Sequence, residues 1–194
     1  ELFDEKNKVS FLEKIKTINK QIKLIEKLVN EFSDFARMPK PIFKKNELTK
    51  IIKDSINLMK TNDKDIAINF DSKEVFYVDS DIEQLNRVFI NLLKNSIESL
   101  KEKHQKTGDF KKKIDVEIQL INDYISIVVQ DNGTGFTNND LKTLSKPYFT
   151  TKKEGSGLGL SIVEKILNDH NGFIEFIPQK EGAKIKILLP KYVN

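Results

Sequence analysis

The sequence has no cysteine and no tryptophan, and its 194 residues include only two methionines, five prolines and eight glycines. Without cysteine there is no disulfide and no thiolate metal site, which fits a reducing compartment. No apolar run approaches the roughly 20 residues that span a bilayer, and no signal peptide opens the chain. Charge of one sign is also in short supply: 33 Lys and Arg stand against 29 Asp and Glu, a net charge of +4 with a pI near 9.0. Lysines alternate with acids along most of the chain, so the excess reads as solvated surface with a local basic patch, not as a nucleic-acid face. With 38% hydrophobic and 32% charged residues, the chain suits one ordinary domain plus an appendage, long enough to bury a core. It opens on ELFDEK without Met, as expected of a fragment of a longer protein.

The scarce glycine is concentrated in one place. Gly133, Gly135, Gly155, Gly157 and Gly159 all fall between Asp131 and Leu160, in DNGTGF and GSGLGL, on either side of the basic, aromatic KPYFTTKK. Glycine accepts positive φ and lets a backbone approach a ligand closely. The second cluster runs into the helix-like LGLSIVEKIL, and a helix opened by glycines presents free N–H groups and a positive dipole end to an anion. The pattern suggests a phosphate-bearing ligand held under a loop. It is not a Walker-type loop, because no GxxxxGK[ST] is present.

Ahead of this stretch, residues 1–38 read as one long helix. Phe11, Ile15, Ile18, Ile22, Ile25, Val29, Phe32 and Ala36 are spaced 4-3-4-3-4-3-4, a heptad seam. Leu12, Leu24, Leu28 and Phe35 widen it as a four-helix bundle requires. Ser10 and Glu13 fit a capping box, and the first nine residues fit a helix–helix turn equally well. The seam suits either an oligomerisation helix whose partner lies elsewhere or a helix packed on its own domain. Met38-Pro39-Lys40-Pro41 ends it, with a linker expected over 39–45 and a second domain over 46–194.

That domain begins with a helix over 46–60 capped by Asn46. Strands follow at 66–70 and 75–78, then a helix over 79–103 whose apolar face runs from Ile82 through Ser96 and Ile97 to Leu100. Residues 104–112 read as a polar loop. A hairpin with its turn at Asn122-Asp123 joins strands at 114–120 and 124–130. A short helix is expected over 138–146, a longer one from near Gly157 to Asn168, and two closing strands at 173–177 and 183–189. This order predicts an α+β fold: a two-layer sandwich of a mixed, mostly antiparallel sheet with three helices on one face.

Two asparagines, Asn91 and Asn95, sit one turn apart beside the apolar face of the 79–103 helix, where an unpaired amide is costly. They read either as satisfied core amides or as oxygen ligands for Mg²⁺ or phosphate. The ordered set, NLLKNSIES, DNGTGF, PYFTTK and GSGLGLSIV, resembles the ATP-binding domain of sensor histidine kinases of two-component systems. That domain lies within the larger group that includes gyrase, Hsp90 and the mismatch-repair ATPases, the Bergerat-type ATP-binding fold. The resemblance covers about residues 46–190, with Asp81 and Leu85 matching the lead-in. FxxFARMPKP, residues 32–41, is similar to the junction after the second dimerisation helix in nitrogen-regulation kinases of the NtrY type.

The resemblance implies the roles. Asp131 would accept a hydrogen bond from the adenine exocyclic amine, with Gly133 and Gly135 letting the chain pass near the base. Asn95 would ligate Mg²⁺, and Asn91 would lie near the phosphates, as catalytic asparagines. Lys94 would face phosphate or solvent. Gly155, Gly157, Leu158 and Gly159 would form the phosphate-facing end of a lid carrying Phe149, Thr150, Thr151 and Lys152. ATP and Mg²⁺ are the implied cofactors. The implied activity is that of a protein-histidine kinase, with the γ-phosphate passing to a histidine and then to an aspartate of a response-regulator receiver domain.

Two departures bear on this. ATP-hydrolysing relatives carry glutamate where this chain has Asn91, and an amide cannot activate water as that base does, which argues against an ATPase or nucleotide-switched clamp. A non-enzymatic dimerisation scaffold is the other alternative. Neither histidine has the sequence context of a phospho-acceptor: His104 is expected in a polar loop, and His170 before a glycine turn, in a structural role. The acceptor is therefore expected on a first hairpin helix outside this stretch, and the chain as it stands is not expected to autophosphorylate. The implied whole protein is a homodimer through its hairpin helices. Its cytoplasmic part would be tied to a membrane only by other segments, with no direct nucleic-acid partner.

Overall fold

A tight turn sets the register of the sheet. In the computed structural model, which describes residues 5–60, 65–136, 143–144, 146–150 and 155–193 (side chains of 5–9, 27 and 34 excepted), Asn122 adopts a φ of 54°. It joins β4 (Lys113–Ile121) to β5 (Tyr124–Asp131), antiparallel, with Ile121 opposite Tyr124 and Ile114 opposite Asp131. β7 (Lys184–Pro190) pairs antiparallel with β5, and β6 (Phe173–Ile177) antiparallel with β7. On the other side β2 (Ala67–Asp71) pairs parallel with β4. The order β2-β4-β5-β7-β6 is therefore mixed and mostly antiparallel, as expected from the sequence.

Alternation divides the two faces of this sheet. Ile114, Val116 and Ile118 of β4, Ile125, Ile127 and Val129 of β5, and Ile185, Ile187 and Leu189 of β7 are buried. The opposite face carries Asp115, Glu117, Lys184 and Lys186. Three helices join the core: α2 (Leu48–Lys60), α3 (Ile82–Thr107) and α4 (Gly159–Asp169). α3 lies between the other two and contributes Leu85, Val88, Phe89, Leu92, Leu93, Ile97 and Leu100. Each such burial contributes about 1.5–3 kcal/mol.

Four local expectations are corrected. Asn46 does not cap α2. It lies in β1 (Lys44–Glu47), which pairs antiparallel with β3 (Tyr77–Ser80), and its amide donates to the Lys44 and Ser80 carbonyls at 3.1 and 2.7 Å. A polar four-residue strand shows no alternation, so only its distant partner makes it one. α3 runs on to Thr107, through much of the expected loop, and takes His104 into its last turn. Good helix formers and the Glu102–Lys106 pair, one turn apart at 2.7 Å, sustain it there without an apolar stripe. It starts at Ile82, with Asp81 as its cap: Oδ1 accepts the N–H groups of Glu83 and Gln84 at 3.0 and 3.1 Å. Lastly, α1 (Glu5–Ala36) is already helical at Glu5, which places Ser10 inside the helix. The helix expected over 138–146 falls largely outside the described residues.

The end of α1 is stapled to the domain. Phe35 and Met38 pack on the core, and the Lys165 ammonium lies 5.5 Å from the Phe35 ring centroid. In the segment that follows, the Pro39 carbonyl accepts from Gln84 Nε2 at 3.0 Å, and the Ile42 N–H donates to Asp81 Oδ2 at 2.9 Å. The Phe43 ring meets His170 edge-on at 5.0 Å. No described helix is long and apolar enough to cross a membrane.

Candidate functional site

Asp131 closes β5 and is 4% exposed. Its Oδ1 accepts the Gly133 N–H at 2.9 Å and the Ala183 N–H at 3.3 Å. Burial pushes its carboxyl above the ordinary range, opposed by those two N–H groups and by the nearby hydroxyls of Ser96 and Ser99. The loop that follows turns tightly against α3. A Cβ added at Gly133 would sit 2.2 Å from Ser99 Oγ, so only glycine fits. Gly135 lies against Gly182 of the β6–β7 turn.

Asn91 and Asn95 stand on the face of α3 that meets the start of α4. A Cβ at Gly159 would lie 3.6 Å from Asn91 Oδ1 and 3.9 Å from Asn95 Nδ2. The asparagine pair and the second glycine cluster, some sixty residues apart in sequence, are thus neighbours. α4 begins without a side-chain cap on its first N–H groups. Lys94 is half-buried on α3 between the two asparagines. Leu158 is 1% exposed in the core, so only its backbone is placed to meet a ligand.

Gly157, at a φ of 70°, is held against the 148–149 backbone, where an added Cβ would come within 2.5 Å of the Tyr148 carbonyl carbon. The Tyr148 N–H donates to the Gly157 carbonyl at 3.1 Å, and Phe149 N–H to that of Lys146 at 3.2 Å. Phe149 is half-buried and Thr150 exposed; Gly155 stands half-buried ahead of Gly157. Thr151 and Lys152 lie outside the described residues.

Several partners in this region escaped sequence reasoning. Ser96 falls within the apolar stripe of α3 and is buried there, a small polar residue directly after Asn95. Tyr148 stacks on Phe32 of α1 at 6.5 Å, a contact no local pattern announces. His170 is buried, with both ring nitrogens engaged: Nδ1–H donates to the Ile166 carbonyl at 2.8 Å and Nε2 accepts the Asp81 N–H at 3.0 Å. The same Asp81 is held below the usual carboxylate range. Burial alone would raise it, but the N–H groups of Ile42, Gln84 and Glu83, with His170, together outweigh that.

A shallow cleft of about 390 Å³ opens behind Asp131, lined among others by Lys113, Asp115, Lys180 and Glu181. It shares Asp131 with the candidate site but none of the asparagines or glycines. Among the described residues no group of three or more His, Cys, Asp or Glu could hold a metal ion.

A mixed sheet under three helices is also the fold of histidine kinase catalytic domains. The chain superimposes on the catalytic domain of histidine kinase ThkA with a TM-score of 0.65 and 26% identity, covering 77% of this chain and 96% of that one. The chain belongs to the histidine kinase-, DNA gyrase B-, and HSP90-like ATPase family, whose sequence model matches residues 80–193. It is 37% identical over 184 residues to a putative NtrY-like sensor histidine kinase of Rickettsia conorii, a match spanning 94% of this chain and 30% of that relative. The fold of ThkA solved in complex with the response regulator protein TrrA is also similar, with a TM-score of 0.72 at 23% identity over 93% of this chain and 51% of that one.

Proposed function

We propose that residues 46–194 are the catalytic ATP-binding domain of a sensor histidine kinase, joined by 39–45 to the second helix of a dimerisation hairpin, residues 1–38. The observation that carries this reading is the meeting of Asn91 and Asn95 with the glycine-opened start of α4, on the same helix whose Ser99 Oγ accepts the Thr134 N–H of the loop leaving Asp131. Asp131 takes the adenine amine, and the phosphates lie against the first N–H groups of α4, Asn91 and Lys94. Gly133 and Gly135 line the base; Phe149, Thr150, Thr151 and Lys152 belong to the lid, and Gly155, Gly157, Leu158 and Gly159 to its phosphate-facing end.

Mg²⁺ fits the donor set. Asn95 would offer it a hard amide oxygen, with phosphate and water completing its shell. The ion supplies neutralisation of the phosphate charge. The substrate step breaks the bond from the γ-phosphorus to the ADP oxygen and forms one to an imidazole nitrogen of a histidine outside this chain. The protein contributes positioning and charge stabilisation. His170, with both nitrogens engaged, is not that acceptor. The phosphoryl group then passes to a response-regulator aspartate, in line with the ThkA–TrrA complex. In the whole protein the hairpin helices pair as a homodimer on the cytoplasmic side.

Calorimetric titration with a non-hydrolysable ATP analogue tests this. Binding that needs Mg²⁺, prefers adenine over guanine and is lost in Asp131→Asn is the expected result. A folded wild-type sample that binds no nucleotide would overturn it.

A further inference from the structure

Asp131 Oδ1 is met by two backbone N–H groups that arrive on different segments: Gly133 on the loop that leaves β5, and Ala183 at the end of the β6–β7 turn. One side chain of α3 reaches both segments. The Lys103 ammonium donates to the Asn132 carbonyl at 2.8 Å and pairs with the Glu181 carboxylate. Asn132 directly precedes Gly133, and Glu181 stands two residues ahead of Ala183. Lys103 therefore holds each segment beside the N–H group that the segment brings to Asp131.

An ion pair exposed at both ends contributes little. Here the lysine side chain is 18% exposed and the glutamate 67%. The Lys103 ammonium also lies 4.8 Å from the Phe110 ring centroid, so ring and carbonyl shield it from water while its charge strengthens both oxygen contacts. One turn earlier on the same face of α3, Ser99 Oγ accepts the Thr134 N–H at 3.0 Å. The helix thus grips the loop at Asn132 and at Thr134, on either side of Gly133. The outward edge of the loop is tied separately: Asn132 Oδ1 accepts the Lys113 N–H and Nδ2 donates to the Lys111 carbonyl, both at 2.9 Å. Loop and turn leave each other no slack. A Cβ added at Gly133 would lie 2.2 Å from Ser99 Oγ, and one added at Gly182 would lie 1.8 Å from the Asp131 carbonyl oxygen. Backbones packed this closely move together, so the group that joins them also fixes how the carboxylate between them is turned.

We propose that Lys103 is a positioning residue: by clasping Asn132 and Glu181 it places the Gly133 and Ala183 N–H groups on Asp131, and so aims that carboxylate at the 6-amino group of a bound purine nucleotide. The inference rests on the nucleotide-site reading above.

ADP and purine riboside 5′-diphosphate, which lacks the 6-amino group, are each titrated with Mg²⁺ into the wild type, Lys103→Met, Glu181→Gln and the double variant. Lys103→Met should lose ADP affinity by about tenfold, the scale of one charge-assisted hydrogen bond. Its affinity for purine riboside diphosphate should fall by less than about threefold, because only the amine meets Asp131. Glu181→Gln should weaken ADP by about threefold, as the more exposed partner. The double variant should be no worse than Lys103→Met, since both residues act through one clasp. Equal loss of the two nucleotides would overturn the proposal and leave Lys103 a purely structural role, and so would losses that add in the double variant. If Lys103→Met does not fold, Glu181→Gln decides by the same ratio of affinities. A wild type that binds neither nucleotide removes the site reading itself. A wild type that binds ADP beside variants with an unchanged ratio removes only this inference.

Discussion

Along α1, Phe11, Ile15, Ile18, Ile22, Ile25 and Val29 recur every three or four residues and remain 37–58% exposed, whereas Leu85, Val88, Phe89, Leu92 and Leu93 of α3, similarly spaced, are at most 2% exposed. Periodicity alone does not bury a face. α3 has a five-stranded sheet beneath it and a helix on either side. α1 meets the domain toward its end, at Phe32 and Phe35, with Met38 packed on the core just beyond it. An apolar stripe that long is stable in water only when something covers it; for α3 the cover is the core, and for α1 the proposed dimerisation interface would supply it.

The comparison breaks most sharply if the core is cut. Leu92→Ala should cost about 2–5 kcal/mol, seen as a lower denaturant midpoint, and should weaken nucleotide binding because α3 carries Asn91 and Asn95. Gly133→Ala comes next. Its Cβ would collide with Ser99, so about 1–3 kcal/mol of strain is expected, together with loss of nucleotide binding in the same titration.

Asp81 and Asp131 sharpen the comparison through pH, because their shifts have opposite signs. Asp81 sits below its ordinary value. Its contribution is fully present above the unfolded carboxyl pKa of about 3.9 and is lost as pH falls through the folded value. Asp81→Ala should cost about 1 kcal/mol near neutrality and flatten the acid limb of the stability curve. Asp131 sits above its ordinary value, so stability declines as pH rises from the unfolded value through the folded one. Asp131→Asn should remove that decline, leaving the ligand-free protein at least as stable at pH 7 while nucleotide binding is lost. Unfolding followed across pH checks both signs.

The smallest effect on stability is expected for Ile22→Ala in the exposed seam: about ±0.5 kcal/mol or less, the range of surface substitutions. Self-association should fall instead, measured by sedimentation. If Ile22→Ala were as damaging as Leu92→Ala, α1 would belong to the core of its own chain.

Much of this was legible beforehand because its signals are local. The β4–β5 hairpin, the Asp131 strand end and the glycine-opened α4 follow from alternation, turn chemistry and glycine. β1 was not legible, because Lys-Lys-Asn-Glu becomes a strand only beside β3. Nor was the contact of α3 with the loop after Asp131, since Ser99 looks like an ordinary surface serine until its Oγ is seen to accept the Thr134 N–H. His170 read as structural, but its bond to the Asp81 N–H joins positions 89 residues apart.

By itself the sequence determined most of the helical and strand segments and which residue types are available for an anion and a base, because periods of 3.6 and 2 and the special backbone of glycine are written over a few neighbouring residues. The tertiary structure alone decided that Asn91 and Asn95 face Gly159, that one aspartate is raised while another is lowered, and that one apolar stripe is buried while its twin is left open. Each of these depends on what approaches across the fold, and burial, hydrogen-bond donors and covering surfaces arrive from residues far away in the chain.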